Sequence, residues 1–349
     1  MADLYDRVMM WVAAGLYGIW VLVHILKDVF AVGFREVFQR KPITKPACLT
    51  DPTLGTHGFL SLEDVKIHYV ASGPEDKPLM LFVHGFPEFW FSWRHQIREF
   101  QKDYRVVAYD QRGCGESGKP KKLEDYKLKK LTSDLKQVIS ALGYKSCVLV
   151  GHDWGAVVVW SFSRLFPEMV DKLITMNGPP LPLFEKVLKR KDQQKLSWYV
   201  FFFQLPYLPE LYLRVKNFEA LESCYGITKT KGICFSDAFQ NPMTTDELNA
   251  YKYTFSQPDT LTTAVNYYRA IFRDYAAEKQ DLNYTMPILL VWGCDDKAIT
   301  LVTADLVEKS IPNITVKRIL KAGHFVQMDT PELTNKAMRE WLNGQEKSQ

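Results

Sequence analysis

The chain has 349 residues, of which 47% are hydrophobic and 24% charged, enough for one large α/β domain with an insertion or for two small domains. A net charge of +4 is too small to suggest a nucleic-acid partner, and Lys and Arg are scattered apart from a short basic group after the first apolar segment. The six cysteines form no CxxC pair and have no His at metal-ligand spacing, which points to free thiols in a reducing compartment and to no metal.

The first element runs from Val8 to Leu26, apolar or aromatic except for His24, with no charge between Arg7 and Lys27. That length roughly matches the hydrocarbon core of a bilayer, so a single-pass anchor is expected. One alternative is a cleaved signal peptide, but the run is long for one and no clean small-X-small site follows. The other is an amphipathic helix lying on the membrane. Arg7 flanks the run on one side, and Lys27, Arg35, Arg40, Lys41 and Lys45 on the other. The positive-inside rule then puts the bulk of the chain in the cytosol, with the endoplasmic reticulum as the expected membrane. The sequons at Asn283 and Asn313 would matter only on the lumenal side.

Residues 41–56, with three prolines, read as an irregular connector. Phe59-Leu60-Ser61 and Lys66 to Val70 read as an antiparallel hairpin. The runs 79–83, 104–109, 146–150, 171–176 and 287–292 are short, apolar and β-rich, with helical patterns between most of them. Buried strands alternating with helices predict a parallel sheet covered on both faces. Residues from about 180 to 275 break this rhythm, being aromatic-rich and helical in spacing. They read as a cap that excludes water and supplies substrate-facing groups. The expected organisation is an anchor and its flank (1–41), a sheet domain in two parts (42–179 and 276–349), and the helical cap between them (180–275).

Four stretches carry chemistry. In Gly151-His152-Asp153-Trp154-Gly155 an apolar run ends in Gly-X-Asp-X-Gly and a helical pattern follows from Ala156 to about Phe166. Such a strand–turn–helix is the shape of a nucleophile elbow, which needs small residues two before and two after its centre. The usual Ser is replaced by Asp153, and a carboxylate needs no base to become nucleophilic. His84-Gly85-Phe86-Pro87-Glu88 follows the run 79–83, at the end of the sheet where ligands bind. The backbone N–H groups of Phe86 and Trp154 are the expected oxyanion donors. Trp292-Gly293-Cys294-Asp295-Asp296 and Gly323-His324 then give the chain order nucleophile, acid, His. His324 would activate water, oriented by a carboxylate. Gly113 to Pro120 nearly matches a phosphate-binding loop, but Pro120 replaces the metal-binding hydroxyl, so a turn at the sheet edge is the expectation.

As a set, these motifs resemble the epoxide hydrolases of the α/β-hydrolase superfamily, from about Pro42 to the last helix. With the N-terminal segment they resemble the membrane-anchored vertebrate members of that family. The resemblance implies an α/β-hydrolase fold, with a mostly parallel central sheet flanked by helices, an inserted helical cap and an N-terminal transmembrane helix. Its Gly-X-X-Asp spacing favours Asp296 over Asp295 as the acid. It also implies two cap tyrosines that hold the epoxide oxygen, matching Tyr268 in Asn266-Tyr267-Tyr268-Arg269 and Tyr199 five residues before Gln204. The implied reaction needs no cofactor: an apolar, lipid-like epoxide alkylates Asp153, and water activated by His324 and Asp296 releases a vicinal diol. Haloalkane-dehalogenase chemistry shares the Asp, the His and the oxyanion hole, and is the enzymatic alternative. A serine esterase is disfavoured by the absence of Ser from the elbow. The third reading is a membrane-bound binding protein that keeps the fold without turnover.

Overall fold

The computed structural model describes residues 2–228, 232–237, 239–274 and 281–346. The strands are β1 (Thr56–Ser61), β2 (Lys66–Ser72), β3 (Leu79–Val83), β4 (Arg105–Tyr109), β5 (Cys147–His152), β6 (Val170–Met176), β7 (Ile288–Gly293) and β8 (Ile314–Ile319). Among the described residues they form one eight-stranded sheet in the order β1-β2-β4-β3-β5-β6-β7-β8. β1 pairs with β2, and β2 with β4, in antiparallel fashion. Every pairing from β4 to β8 is parallel.

The helices preceding the sheet are α1 (Ala2–Val32) and α2 (Phe34–Phe38). α3 (Arg94–Phe100), α4 (Leu128–Ala141) and α5 (Trp154–Leu165) make the crossovers that follow β3, β4 and β5. Between β6 and β7 lie α6 (Leu181–Leu188), α7 (Lys191–Leu196), α8 (Trp198–Phe202), α9 (Leu208–Cys224), α10 (Thr245–Ser256) and α11 (Thr260–Asp274). α12 (Val302–Ser310) follows β7, and α13 (Val326–Asp329) and α14 (Pro331–Glu346) follow β8.

The core follows from the strand sequences. β3, β5 and β7 are buried at every position. Continuous apolar strands of this kind need helices on both faces, whereas a one-sided sheet would alternate. α4 buries Leu128, Leu131, Leu135, Val138 and Ile139, a stripe at helical spacing that fits it to the sheet. The strand order reverses direction at β3, which has β4 on one side and β5 on the other. The loops after β3 and β5 therefore open side by side at the carboxyl edge, where a crevice forms.

The helices between β6 and β7 occupy the segment expected as a cap. α9 is two helices across a break at Val215, with Lys216, Asn217 and Phe218 all left-handed at φ +52 to +66°. α10 opens with a capping box in which Thr244 and Glu247 satisfy each other's backbone N–H groups. Arg94 Nε donates to Glu247 Oε1 at 2.6 Å and ties this segment to α3. Residues 41–56, expected to be irregular, carry two single 3₁₀ turns, the second capped by Asp51, which accepts the Thr53 N–H at 2.9 Å. α5 starts at Trp154, two residues earlier than the helical pattern suggests.

Within α1, Val8–Val32 is long and apolar enough to cross a membrane, with a mean hydropathy of 1.9. It runs past the predicted end at Leu26 because Lys27 and Asp28 do not interrupt the helix. One face packs on the inserted helices. Ala14, Val21 and Ile25 are buried, and Tyr17 and Trp20 meet Trp198 of α8 at ring distances of 5.7 and 5.1 Å. Leu205 and Leu208 fill the space beside Gly18 that a side chain there would need.

Candidate active site

Asp153 sits in the turn between β5 and α5 at φ 51°, a left-handed conformation that places its carboxylate over the end of the sheet. The turn is closed by glycines that cannot be replaced. A Cβ at Gly151 would come within 2.7 Å of the Gly155 carbonyl, and one at Gly155 within 2.7 Å of the His84 carbonyl. Gly85, on the neighbouring loop, would place a Cβ 2.5 Å from Asp153 Cβ, so its lack of a side chain is what leaves room for the carboxylate.

The structure brings most of the expected residues together. The Phe86 N–H donates to Asp153 Oδ1 at 2.7 Å. No hydrogen bond joins the Trp154 N–H to that carboxylate, although Trp154 directly follows Asp153 and opens α5. His324, in the loop after β8, lies with Nε2 3.4 Å from Asp153 Oδ2 and Nδ1 2.8 Å from Asp296 Oδ2. Nε2 has no hydrogen-bonding partner of good geometry and is buried, so it is free to meet a small polar molecule. Asp296 is buried and Asp295 exposed, and only Asp296 reaches the imidazole.

Burial alone would lower the His324 pKa. The charges of Asp296, hydrogen-bonded to Nδ1, and of Asp153 near Nε2 outweigh it and push the value up to about 10. Asp296 itself is fully engaged. Its Oδ1 accepts the Ala298 and Ile299 N–H groups at 2.6 and 2.8 Å, and its Oδ2 accepts from Asn177 Nδ2 at 2.7 Å.

Tyr199 from α8 and Tyr268 from α11 meet edge-on with ring centroids 5.8 Å apart. Tyr268 also stands edge-on to the Trp154 ring at 5.0 Å. Burial, reinforced by Asp153, raises both phenols well above their usual range. They stay protonated and can donate. Aromatic rings wall this space: Phe203 and Phe86 stand edge-on to Tyr268 at 5.0 and 5.3 Å, and Phe235 lies 5.5 Å from His324.

Several contributors escaped the sequence reading. Asn177 follows β6 at φ 40°, a backbone state that Asn tolerates better than most residues, and holds Asp296. Its own Oδ1 accepts the Gly293 N–H at 3.0 Å. Beneath the site, Glu88 Oε2 accepts the Gly85 N–H and faces His152 Nδ1, each at 2.7 Å, while Gln327 Nε2 donates to Oε1 at 2.7 Å. His152 Nε2 lies 2.9 Å from the His324 carbonyl. A carbonyl only accepts, so Nε2 carries a hydrogen, and one further proton is shared between Nδ1 and Glu88. This buried network binds the loops of Phe86, Asp153 and His324 to one another. The only sequence signal for it was the position of Glu88 and His152 inside motifs already singled out.

The phosphate-loop look-alike wraps its own carboxylate. The Glu116 N–H donates to Asp110 Oδ2 at 3.0 Å, and Ser117 Oγ donates to the Asp110 carbonyl at 2.6 Å. Lys119 Nζ spends its hydrogens on the Gly115 and Ser117 carbonyls. A cavity of about 630 Å³ opens beside this loop, between His57, Trp90, Glu116 and Tyr253, but neither Asp153 nor His324 lines it. Among the described residues, no group of His, Cys, Asp and Glu is placed to hold a metal ion.

Comparison with known proteins agrees with the architecture. Residues 78–331 match the model of the alpha/beta hydrolase fold family. Epoxide hydrolase 4 of Mus musculus is 40% identical over 331 residues, covering 92% of this chain and 90% of that protein. Epoxide hydrolase 3 of Xenopus tropicalis is 38% identical over 340 residues, covering 93% and 91%. The crystal structure of the Bacillus megaterium epoxide hydrolase in complex with an inhibitor superposes with a TM-score of 0.72 at 34% identity, over 82% of this chain and 100% of that one. With an Asp at the elbow, a His and an acid behind it, and relatives of this similarity along most of its length, the chain belongs to the epoxide hydrolases of the α/β-hydrolase fold.

Proposed function

We propose that the enzyme opens apolar epoxides, lipid or fatty-acid epoxides above all, to vicinal diols through a covalent ester on Asp153. The observation that carries this reading is the seating of the Asp153 carboxylate. One oxygen is held by the Phe86 N–H at 2.7 Å and the other lies 3.4 Å from His324 Nε2, with the paired tyrosines close enough to feel its charge. A nucleophile so held needs no activating base, and the scheme needs no metal and no cofactor.

Asp153 Oδ2 attacks a ring carbon, and the epoxide C–O bond breaks. Tyr199 and Tyr268 hold the developing alkoxide, and one of them gives it a proton. Phe86 keeps its bond to Oδ1, now the ester carbonyl oxygen. Esterification removes the charge of Asp153, one of the two carboxylates that keep His324 protonated. His324 then releases its proton, which restores the tyrosine by way of solvent. Neutral His324, oriented by Asp296, takes a proton from water, and the hydroxide attacks the ester carbonyl. The Phe86 and Trp154 N–H groups hold the tetrahedral oxyanion. The acyl–oxygen bond breaks, the departing alkoxide takes the proton of the hydroxyl that water added, the diol leaves, and the Asp153 carboxylate and protonated His324 are regenerated.

The aromatic walls support an apolar substrate. Haloalkane chemistry would want the Trp154 indole N–H aimed at a halide in place of the two tyrosine hydroxyls, whereas Trp154 packs edge-on against Tyr268, with Tyr199 beside it. The domain division expected above fits this scheme, with α6 to α11 as the water-excluding cap. α1 attaches the enzyme to the endoplasmic reticulum with the catalytic domain in the cytosol, in keeping with the basic flank from Lys27 to Lys45.

The test is a trapping experiment with a fatty-acid epoxide and a small aryl epoxide. His324→Gln gains the mass of the epoxide on the peptide containing Asp153 and releases no diol. Asp153→Ala gains none. Wild-type turnover by both variants would refute the assignment.

A further inference from the structure

The outer face of α1 and its packed face make incompatible demands on a helix that crosses a bilayer. Between Arg7 and Lys27 the helix carries no charge, and only 22% of its most apolar window is buried. The helix of a soluble core would be mostly covered. Val12, Leu16, Ile19, Val23, Leu26 and Phe30 follow one another at helical spacing and are 42% to 88% exposed. Such a face is too large to leave in water. The opposite face is covered by protein. Ala14, Val21 and Ile25 are buried, Gly18 receives Leu205 and Leu208, and Trp198 packs on Tyr17 and Trp20. At the end of this stripe Lys216 Nζ lies 3.7 Å from Asp28 Oδ2.

The packed stripe therefore runs along the middle of the apolar segment, where a crossing helix would be ringed by lipid. If α1 crossed while docked, α8 and α9 would be drawn to the depth of the hydrocarbon core. Glu210, Arg269 and Lys216 would go with them, and buried charge there costs several kcal/mol per group. Docking and crossing exclude each other.

We infer that α1 lies in the plane of the membrane, its outer face sunk into one leaflet and its inner face docked on α8 and α9. The partner of the outer face is a phospholipid monolayer. Charge agrees: Lys27, Arg35, Arg40 and Lys41 follow the apolar run in the chain, are exposed and suit anionic headgroups. Tyr207, 86% exposed at the start of α9 between Leu205 and Leu208, stands next to the docked helix and extends the apolar rim. This arrangement sets the cap at the lipid surface, and it holds whatever substrate the active site takes.

Topology decides between the two forms. The full chain, with an N-terminal extension carrying an Asn-X-Thr acceptor, is made in the presence of microsomes and floated. In-plane attachment predicts flotation with the membranes, no glycan on the extension, and both the extension and the catalytic domain open to protease added outside. A Gly18→Cys/Leu205→Cys pair, in the floated membranes, cross-links under mild oxidation at a yield well above either single variant. A glycosylated extension, a domain shielded from protease, or no cross-link beyond the single variants would overturn the inference. A soluble dimer that does not float would overturn it too, by giving the outer face to a second copy.

Discussion

His324 Nε2 stands 3.4 Å from Asp153 Oδ2, while its Nδ1 is held 2.8 Å from Asp296 Oδ2. The ring thus lies between two carboxylates, one of which the proposed reaction consumes. Asp153→Asn reproduces the loss of charge without an ester. The His324 pKa, about 10 in the free enzyme against an ordinary 6.5, is expected to fall in this variant. Ring resonances of His324 followed by NMR titration measure it directly. The sign for stability follows. A folded-state pKa above the ordinary value stabilises fully below about pH 6.5, and the contribution is lost as pH rises through about 10. In Asp153→Asn that loss moves to lower pH. An unchanged His324 titration would separate the two groups and remove the proposed trigger for base catalysis.

The tyrosine pair makes a different prediction. In the proposed scheme Tyr199 and Tyr268 donate to one oxygen, so either alone would keep part of the stabilisation. Each single Phe variant is expected to slow ester formation by about tenfold or more, and the double variant by about 10²–10⁴. Ester hydrolysis, which does not use the alkoxide site, should change far less. Single-turnover kinetics resolve the two steps. Equal slowing of both would mean that the rings shape the cavity rather than hold the oxygen.

Asn177→Ala tests the support of the acid. Its amide donates to the same Asp296 oxygen that faces His324, and loss of a buried hydrogen bond of this kind costs about 1–3 kcal/mol. With Asp296 freed on one side, hydrolysis of the ester is expected to slow about tenfold or more, so kcat falls and intermediate accumulates. Ester formation should keep most of its rate. Quenched-flow mass spectrometry of the intermediate distinguishes this from a general loss of fold, in which both steps decline together.

What was legible in the sequence is what local sterics and local pattern determine. β3, β5 and β7 read as strands because they are apolar without alternation. The elbow read as an elbow because only glycine fits beside the Val83 and His84 backbone. Chain order pointed to His324 and to an acid after β7, and the family's Gly-X-X-Asp spacing chose Asp296 over Asp295. Asn177 was not, because the residue it serves is 119 positions away and nothing near it in sequence needs it. The link from Gln327 to Glu88 spans 239 positions and was equally hidden. The docking of α1 lay beyond sequence for another reason. Its apolar residues surround the helix, so periodicity cannot say which face meets protein and which meets lipid. Tertiary contact with Trp198 chooses the face.

Two glycines of the site separate function from folding. Gly85 does not occupy left-handed backbone, so alanine suits its conformation, and the cost is contact alone. Its Cβ would fall 2.5 Å from Asp153 Cβ, which no side-chain rotation moves, so the loop of Gly85 must draw back from the elbow and part the carboxylate from the Phe86 N–H that holds it at 2.7 Å. A displacement of about 1 Å at a reacting group can cost about 10²-fold in rate, while overpacking of this size costs about 1–3 kcal/mol of stability. Gly85→Ala should therefore fold, with ester formation slowed by about 10² or more. Gly155→Ala meets backbone instead, at Val83 and His84 in the centre of the sheet, and cannot be relieved by a side-chain rotation. It should lose most of its folded yield. Circular dichroism melts beside single-turnover rates give both readings. A Gly85→Ala enzyme with full alkylation rate would show that the Asp153 carboxylate does not need its present seat, and the Phe86 contact would lose its proposed role.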